Sequence, residues 1–117
     1  MESTKESCYK VIITNPAESY FYEVLEYLYD NYPIDRAEVI ADELRDTAKG
    51  LLYQPERGTP EPRLAHRSKE YRYVLYQRTS RAEIKVIYYI DTSSEVVYVT
   101  DFFPTEKDDT QVAKRTK

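Results

Sequence analysis

The sequence predicts an α+β two-layer sandwich, in which an N-terminal helical hairpin covers one face of an antiparallel sheet in the order βααβββ. Three observations carry that reading. Apolar residues recur with helical spacing through two stretches between residues 16 and 51, and with a period of two through three later runs between residues 71 and 103. The connectors within each set are short enough to hold neighbouring elements side by side. A single β-rich run precedes the helices, and a helical pair laid on one sheet face buries every stripe.

The first strand is Cys8–Thr14 (CYKVIIT), a β-rich run that stops at Asn15-Pro16. Asn15 is the expected N-cap of the first helix, with Pro16 at its first position and Glu18 completing a capping box. Phe21, Val24, Leu25 and Leu28 then form one apolar stripe. Asn31-Tyr32-Pro33 ends this helix, because proline disfavours helical geometry in the residue before it. A second helix starts within Pro33–Asp35, with an expected Asp35/Glu38 capping box and an Ile34/Val39 staple. Its buried stripe is Ile34, Ala37, Ile40, Ala41, Leu44, Ala48 and Leu51. Gly50 weakens its end and Pro55 terminates it.

Residues Gln54–Lys69 hold three of the six prolines and read as a long loop, the kind usually functional or mobile. Three strands follow: Tyr71–Arg78, Glu83–Asp91 and Glu95–Phe103, with hairpin-length separators. In the middle one, Ile84, Val86, Tyr88 and Ile90 alternate with Glu83, Lys85, Ile87, Tyr89 and Asp91, so one face is buried and the other amphipathic. The chain of 117 residues reads as one domain, with an ordered core over about 8–104 and a polar C-terminal tail that frays.

One cysteine, Cys8, and one histidine, His66, exclude a disulfide framework and a multi-Cys or multi-His metal site. With two glycines there is no phosphate-cradling loop, and no nucleophile motif accompanies His66, so no cofactor or metal is expected. His66 reads as a solvated loop residue, or as an acid–base group. The N-terminus lacks an apolar core and no run approaches membrane-spanning length, so the expectation is a cytoplasmic chain with no membrane partner. Thirteen tyrosines fit either a thin core or an interface. Residues 17–46 carry nine acids against two bases, while 54–85 carry eight bases against four acids. The net charge of -4 therefore hides an acidic half and a basic half.

Period-two counting puts Arg72, Tyr76 and Arg78 on one face of their strand and Lys85 and Tyr89 on one face of the next. Arg81, in the connector, joins the same candidate set for binding a partner or nucleic acid. If the two faces coincide, cations interleave with aromatic rings on the open side of the sheet. Such a surface suits phosphates and bases, a partner's carboxylates, or solvent alone.

At this point the sequence resembles the RelE/ParE toxin superfamily of bacterial toxin–antitoxin modules. The likeness covers residues 9–103 and rests on the opening strand before Asn15-Pro16-Ala17, the helix pair ending in LLYQPERG, and the runs EYRYVLYQR, EIKVIYYID and EVVYVTDFF. It implies a RelE-like fold and the toxin of a plasmid stabilization module, held inactive by a cognate antitoxin. RelE-like members cleave mRNA on the ribosome; ParE-like members act on DNA gyrase. Arg72 and Lys85 occupy places where RelE-like toxins carry catalytic cations that stabilise charge on the phosphate. Val74 and the segment Phe103-Pro104-Thr105-Glu106 depart from that set. The readings to separate are a toxin that binds a macromolecular target, an endoribonuclease using Arg72 and Lys85, and a non-toxic adaptor whose tyrosines mediate a homodimer.

Overall fold

In the computed structural model, which describes residues 9–79 and 82–116, the chain runs β1 (Lys10–Ile13), α1 (Asn15–Asn31), α2 (Ile34–Lys49), β2 (Thr59–Pro60), β3 (Tyr71–Gln77), β4 (Glu83–Asp91), β5 (Val96–Pro104) and α3 (Gln111–Arg115). The strands form one sheet in the order β1-β5-β4-β3-β2. The expected α+β architecture is present, with two additions. β1 returns parallel to β5, so the sheet is mixed, and the two-residue β2 extends it beyond β3. Short 3₁₀ turns at Pro55–Arg57 and Pro62–Leu64 give structure to the segment read as a loop.

The stripes read from the sequence are the core, except that Ile34, at the first position of α2, is exposed and Leu25 is only partly buried. Phe21, Val24 and Leu28 of α1 and Ala37, Ile40, Ala41, Leu44 and Ala48 of α2 pack on Ile84, Val86, Tyr88, Val97, Val99 and Phe102. The helix starts differ from expectation. Thr14, not Asn15, caps α1: it holds an extended backbone and its Oγ1 accepts from Ala17 N at 3.3 Å. Its hydroxyl also donates to Val99 O at 3.1 Å, tying the cap to the sheet, and this tertiary bond selects Thr14 over its neighbour. Thr14→Ala is expected to cost about 1 kcal/mol in urea denaturation, and Asn15→Ala clearly less. At α2 no side chain caps the N-terminus. Ile34 and Val39 are both exposed and do not form the staple.

β5 does not keep one parity. Ile87 faces Asp101 while Tyr88 faces Val99, which leaves Thr100 without a partner in β4. The extra residue is a β-bulge, and Thr100 Oγ1 donates to Ile87 O at 3.3 Å across it. The bulge sends Val97, Val99 and Phe102 all to the helix face. It also turns Asp101 and Phe103 to the far face, opposite Ile87 and Lys85.

That far face is covered by the segment expected to fray. α3 lays Val112 into a second cluster with Leu64, Tyr71, Ile87 and Phe103. Arg115 reaches Asp101, whose side chain is fully buried, at 2.7 Å. Ordered structure therefore runs on past residue 104, because two of its residues serve as an apolar plug and an ion-pair clamp. The tyrosines divide between both expected uses: Tyr88 is fully buried, whereas Tyr22, Tyr27, Tyr29 and Tyr53 are exposed.

Candidate functional site

The sheet register separates the side chains that period counting grouped. Arg72 lies opposite Tyr88 and Tyr76 opposite Ile84, which places both on the helix face. Lys85 lies opposite Leu75, and Tyr89 opposite Tyr71, on the far face. The two halves of the constellation do not meet. Arg81 lies outside the described residues.

Each cation has an internal partner. Arg72 Nη1 donates to Gly58 O at 2.7 Å and Glu56 O at 3.3 Å, and Nη2 to Glu70 at 3.0 Å. It fastens the loop before β2 to the sheet. Lys85 Nζ sits 2.9 Å from Glu61, whose side chain is fully buried, and 4.3 Å from the Tyr73 ring centroid. A buried carboxylate in that position demands its cation. Tyr76 donates to Glu43 of α2 at 2.7 Å; burial, reinforced by that bond, pushes its hydroxyl up to about 12. Tyr89 stacks on Tyr98 at 5.1 Å and meets Tyr71 edge-on at 5.4 Å, with Lys69 above its ring. His66 is exposed and accepts from Arg67 Nε at 3.2 Å.

Arg78 belongs to a different grouping. It follows β3 and turns beneath α1, its guanidinium carbon 4.9 Å from the Tyr27 ring centroid and its Nη2 2.6 Å from Glu106. There it lines a cavity of about 280 Å³ between α1 and the far end of β5. Tyr20, Val24, Tyr27, Phe102 and Pro104 supply the apolar wall; Glu23, Glu106, Lys107 and Arg115 stand around it. Sequence reasoning chose Arg78 for the wrong neighbours and missed the rest. α1 side chains Tyr20 and Tyr27, seven residues apart and flanking the core stripe, were the one legible signal. The contribution of residues 106–115 depends on the tail folding back.

The unpaired part of β5 borders this cavity. β1 pairs with β5 only through Val99, so the rest of β5 has no strand on that side among the described residues. Arg115 occupies the gap: it pairs with Asp101, lies 3.9 Å from the Tyr20 ring centroid and 5.1 Å from that of Phe103. Tyr20 returns a hydrogen bond to Arg115 O at 3.1 Å. No group of three or more metal-ligating side chains gathers among the described residues. No helix there is long and apolar enough to cross a membrane.

Comparison with protein families matches residues 11–109 to the ParE toxin of the type II toxin–antitoxin system, parDE. No individually curated protein and no solved structure matches the chain. The matched span takes in both helices, all of the sheet but the first residue of β1, and the turn that carries Glu106 and Lys107. The chain therefore belongs to the ParE toxin family of type II toxin–antitoxin systems.

Proposed function

We propose that the protein is a toxin that acts by binding a macromolecular target in the cytoplasm, without cleaving RNA, and that a cognate antitoxin neutralises it. The observation that carries this reading is the placement of Arg72 and Lys85 on opposite faces of the sheet. A phosphoryl-transfer centre needs its cations converging on one phosphate. Here one cation holds a loop and the other neutralises buried Glu61. Arg115, the cation nearest the chain end among the described residues, is likewise committed to Asp101. What remains for a partner is surface: the exposed tyrosines of an acidic helical hairpin, and the cavity beside α1.

Within a ParE family, the target favoured by the resemblance is DNA gyrase. Induced expression should then arrest DNA replication before translation, and co-expression of the adjacent reading frame should restore growth. Harmless expression would sink the toxin reading. Ribosome-dependent cleavage of mRNA by the purified wild-type protein would sink its non-enzymatic form.

A further inference from the structure

The Arg78 guanidinium is only half used. Its side chain is 4% exposed. Nη2 donates to Glu106, yet Nε is buried and has no hydrogen-bond partner. Nε and Nη2 lie along one edge of the planar group, the edge that receives both oxygens of a carboxylate in a bidentate pair. Glu106 occupies one donor of that fork and leaves the other unsatisfied, an arrangement that costs free energy in a buried setting. Glu106 itself is half exposed, at 50%, so swinging it into water is cheap. Lys107, exposed and at the same cavity, makes no ion pair with any described residue.

The cavity's other properties select the occupant. At about 280 Å³ it falls just below the usual range for small-molecule sites, roughly 300–1,000 Å³, and suits one or two side chains of a partner. Its wall of Tyr20, Val24, Tyr27, Phe102 and Pro104 calls for an apolar anchor, of the kind that carries most of the energy of a protein interface. The two unspent donors, Arg78 Nε and Lys107 Nζ, call for an acceptor with negative charge.

We propose that this cavity is the anchor site for the antitoxin, taking a large apolar side chain together with a neighbouring acidic side chain, whose carboxylate displaces Glu106 and occupies both donors of the Arg78 fork. The inference rests on the toxin–antitoxin reading above and adds to it a place and a chemistry. Glu106 then acts as an internal stand-in for the partner's carboxylate, holding Arg78 in position until the partner arrives.

The test measures binding of the adjacent-frame antitoxin to wild-type toxin and to three variants. Glu106→Gln removes the competitor's charge and keeps its shape, so it should tighten binding several-fold. Lys107→Glu should weaken it about tenfold, as should Arg78→Lys, which keeps the charge and loses the fork; loss of one charge-assisted hydrogen bond is worth about that factor. The first two substitutions are on exposed side chains and do not depend on the tolerance of a buried site. The reverse pair of effects, weaker binding for E106Q and tighter binding for K107E, would mean a cationic anchor and would overturn the proposal. Unchanged affinity in both, with wild type still binding the antitoxin, would overturn it while leaving the toxin–antitoxin reading intact. Displacement of the antitoxin by a single-stranded oligonucleotide, dependent on Lys107, would also overturn it by assigning the site to phosphate. If no adjacent-frame product binds at all, both fall together.

Discussion

Arg115→Met is expected to destabilise the protein by about 3–5 kcal/mol at pH 7, the usual cost of leaving one member of a buried ion pair behind. Asp101 is the group left behind: its side chain is fully buried, and Arg115 bonds both its oxygens, at 3.1 and 2.7 Å. Burial already pushes Asp101 up to about 6, although Arg115 opposes the shift. Between its ordinary value of 3.8 and about 6, the folded protein holds a proton that the unfolded chain has released. Stability contributed by this group is therefore greatest at the acid end of that window and falls as pH rises through it, by roughly 3 kcal/mol for a shift of about two units. Without Arg115 the carboxyl moves further up, so the variant should recover much of its lost stability on acidification. Urea melts at pH 4.5 and pH 7 for wild type, Arg115→Met and Asp101→Asn separate the effects. Asp101→Asn should flatten the component of the pH dependence between 4 and 6. A loss below 1 kcal/mol in Arg115→Met at pH 7 would show that the C-terminal clamp carries no weight.

Gly58→Ala should be about as damaging as an overpacked core substitution, roughly 2–3 kcal/mol. The reason is a close approach and not a special dihedral, since Gly58 has φ -74 and ψ 163. An added Cβ would run into the Tyr88 hydroxyl and come within 2.9 Å of Tyr73 O. Tyr88 is held where it is: its ring is fully buried, and its hydroxyl donates to Pro55 O at 2.6 Å and accepts from Gly58 N at 3.1 Å. Tyr88→Phe removes that hydroxyl and strands two backbone groups, for about 1–3 kcal/mol. It also removes the nearest atom the new methyl would meet, although the approach to Tyr73 O remains. The double variant Gly58→Ala/Tyr88→Phe should therefore be markedly less destabilised than the sum of the singles. Strict additivity in the double-mutant cycle would refute the steric account.

These two sites lie at the limits of what the sequence shows. Local chemistry was legible where one residue's neighbours along the chain decide its environment: the stripe Ala37, Ile40, Ala41, Leu44, Ala48 is buried as its spacing predicts. It was also legible in β4, where Ile84, Val86 and Tyr88 alternate with Lys85 and Tyr89. The helix caps were harder. Asn15 and Thr14 are both good capping residues by type, and a bond from Thr14 to Val99, 85 positions away, decided between them.

The candidate site was legible only in fragments. Arg72, Tyr76 and Arg78 share a face as counted, but nothing in strand periodicity gives the phase of one strand against the next. A one-residue change of register moves every side chain to the other face, and here Arg72 opposite Tyr88 parts it from Lys85. The tail reads as polar and loose because TEKDDTQVAKRTK has only two apolar residues. Val112 and Arg115 acquire their roles from Phe103 and Asp101, and the bulge at Thr100 is what turns those two residues toward the tail.

By itself, the sequence determined the α+β class, the helical hairpin, the three C-terminal strands and the kinship with a toxin family. Those follow from periodicity, breakers and the order of elements, which are properties of consecutive residues. Only the tertiary structure decided that β1 pairs parallel to β5, that the cations expected to act together face apart, and that Arg78 and Glu106 meet beside α1. Those depend on strand phase, on a bulge and on contacts between distant segments, where an offset of a single residue reverses the outcome.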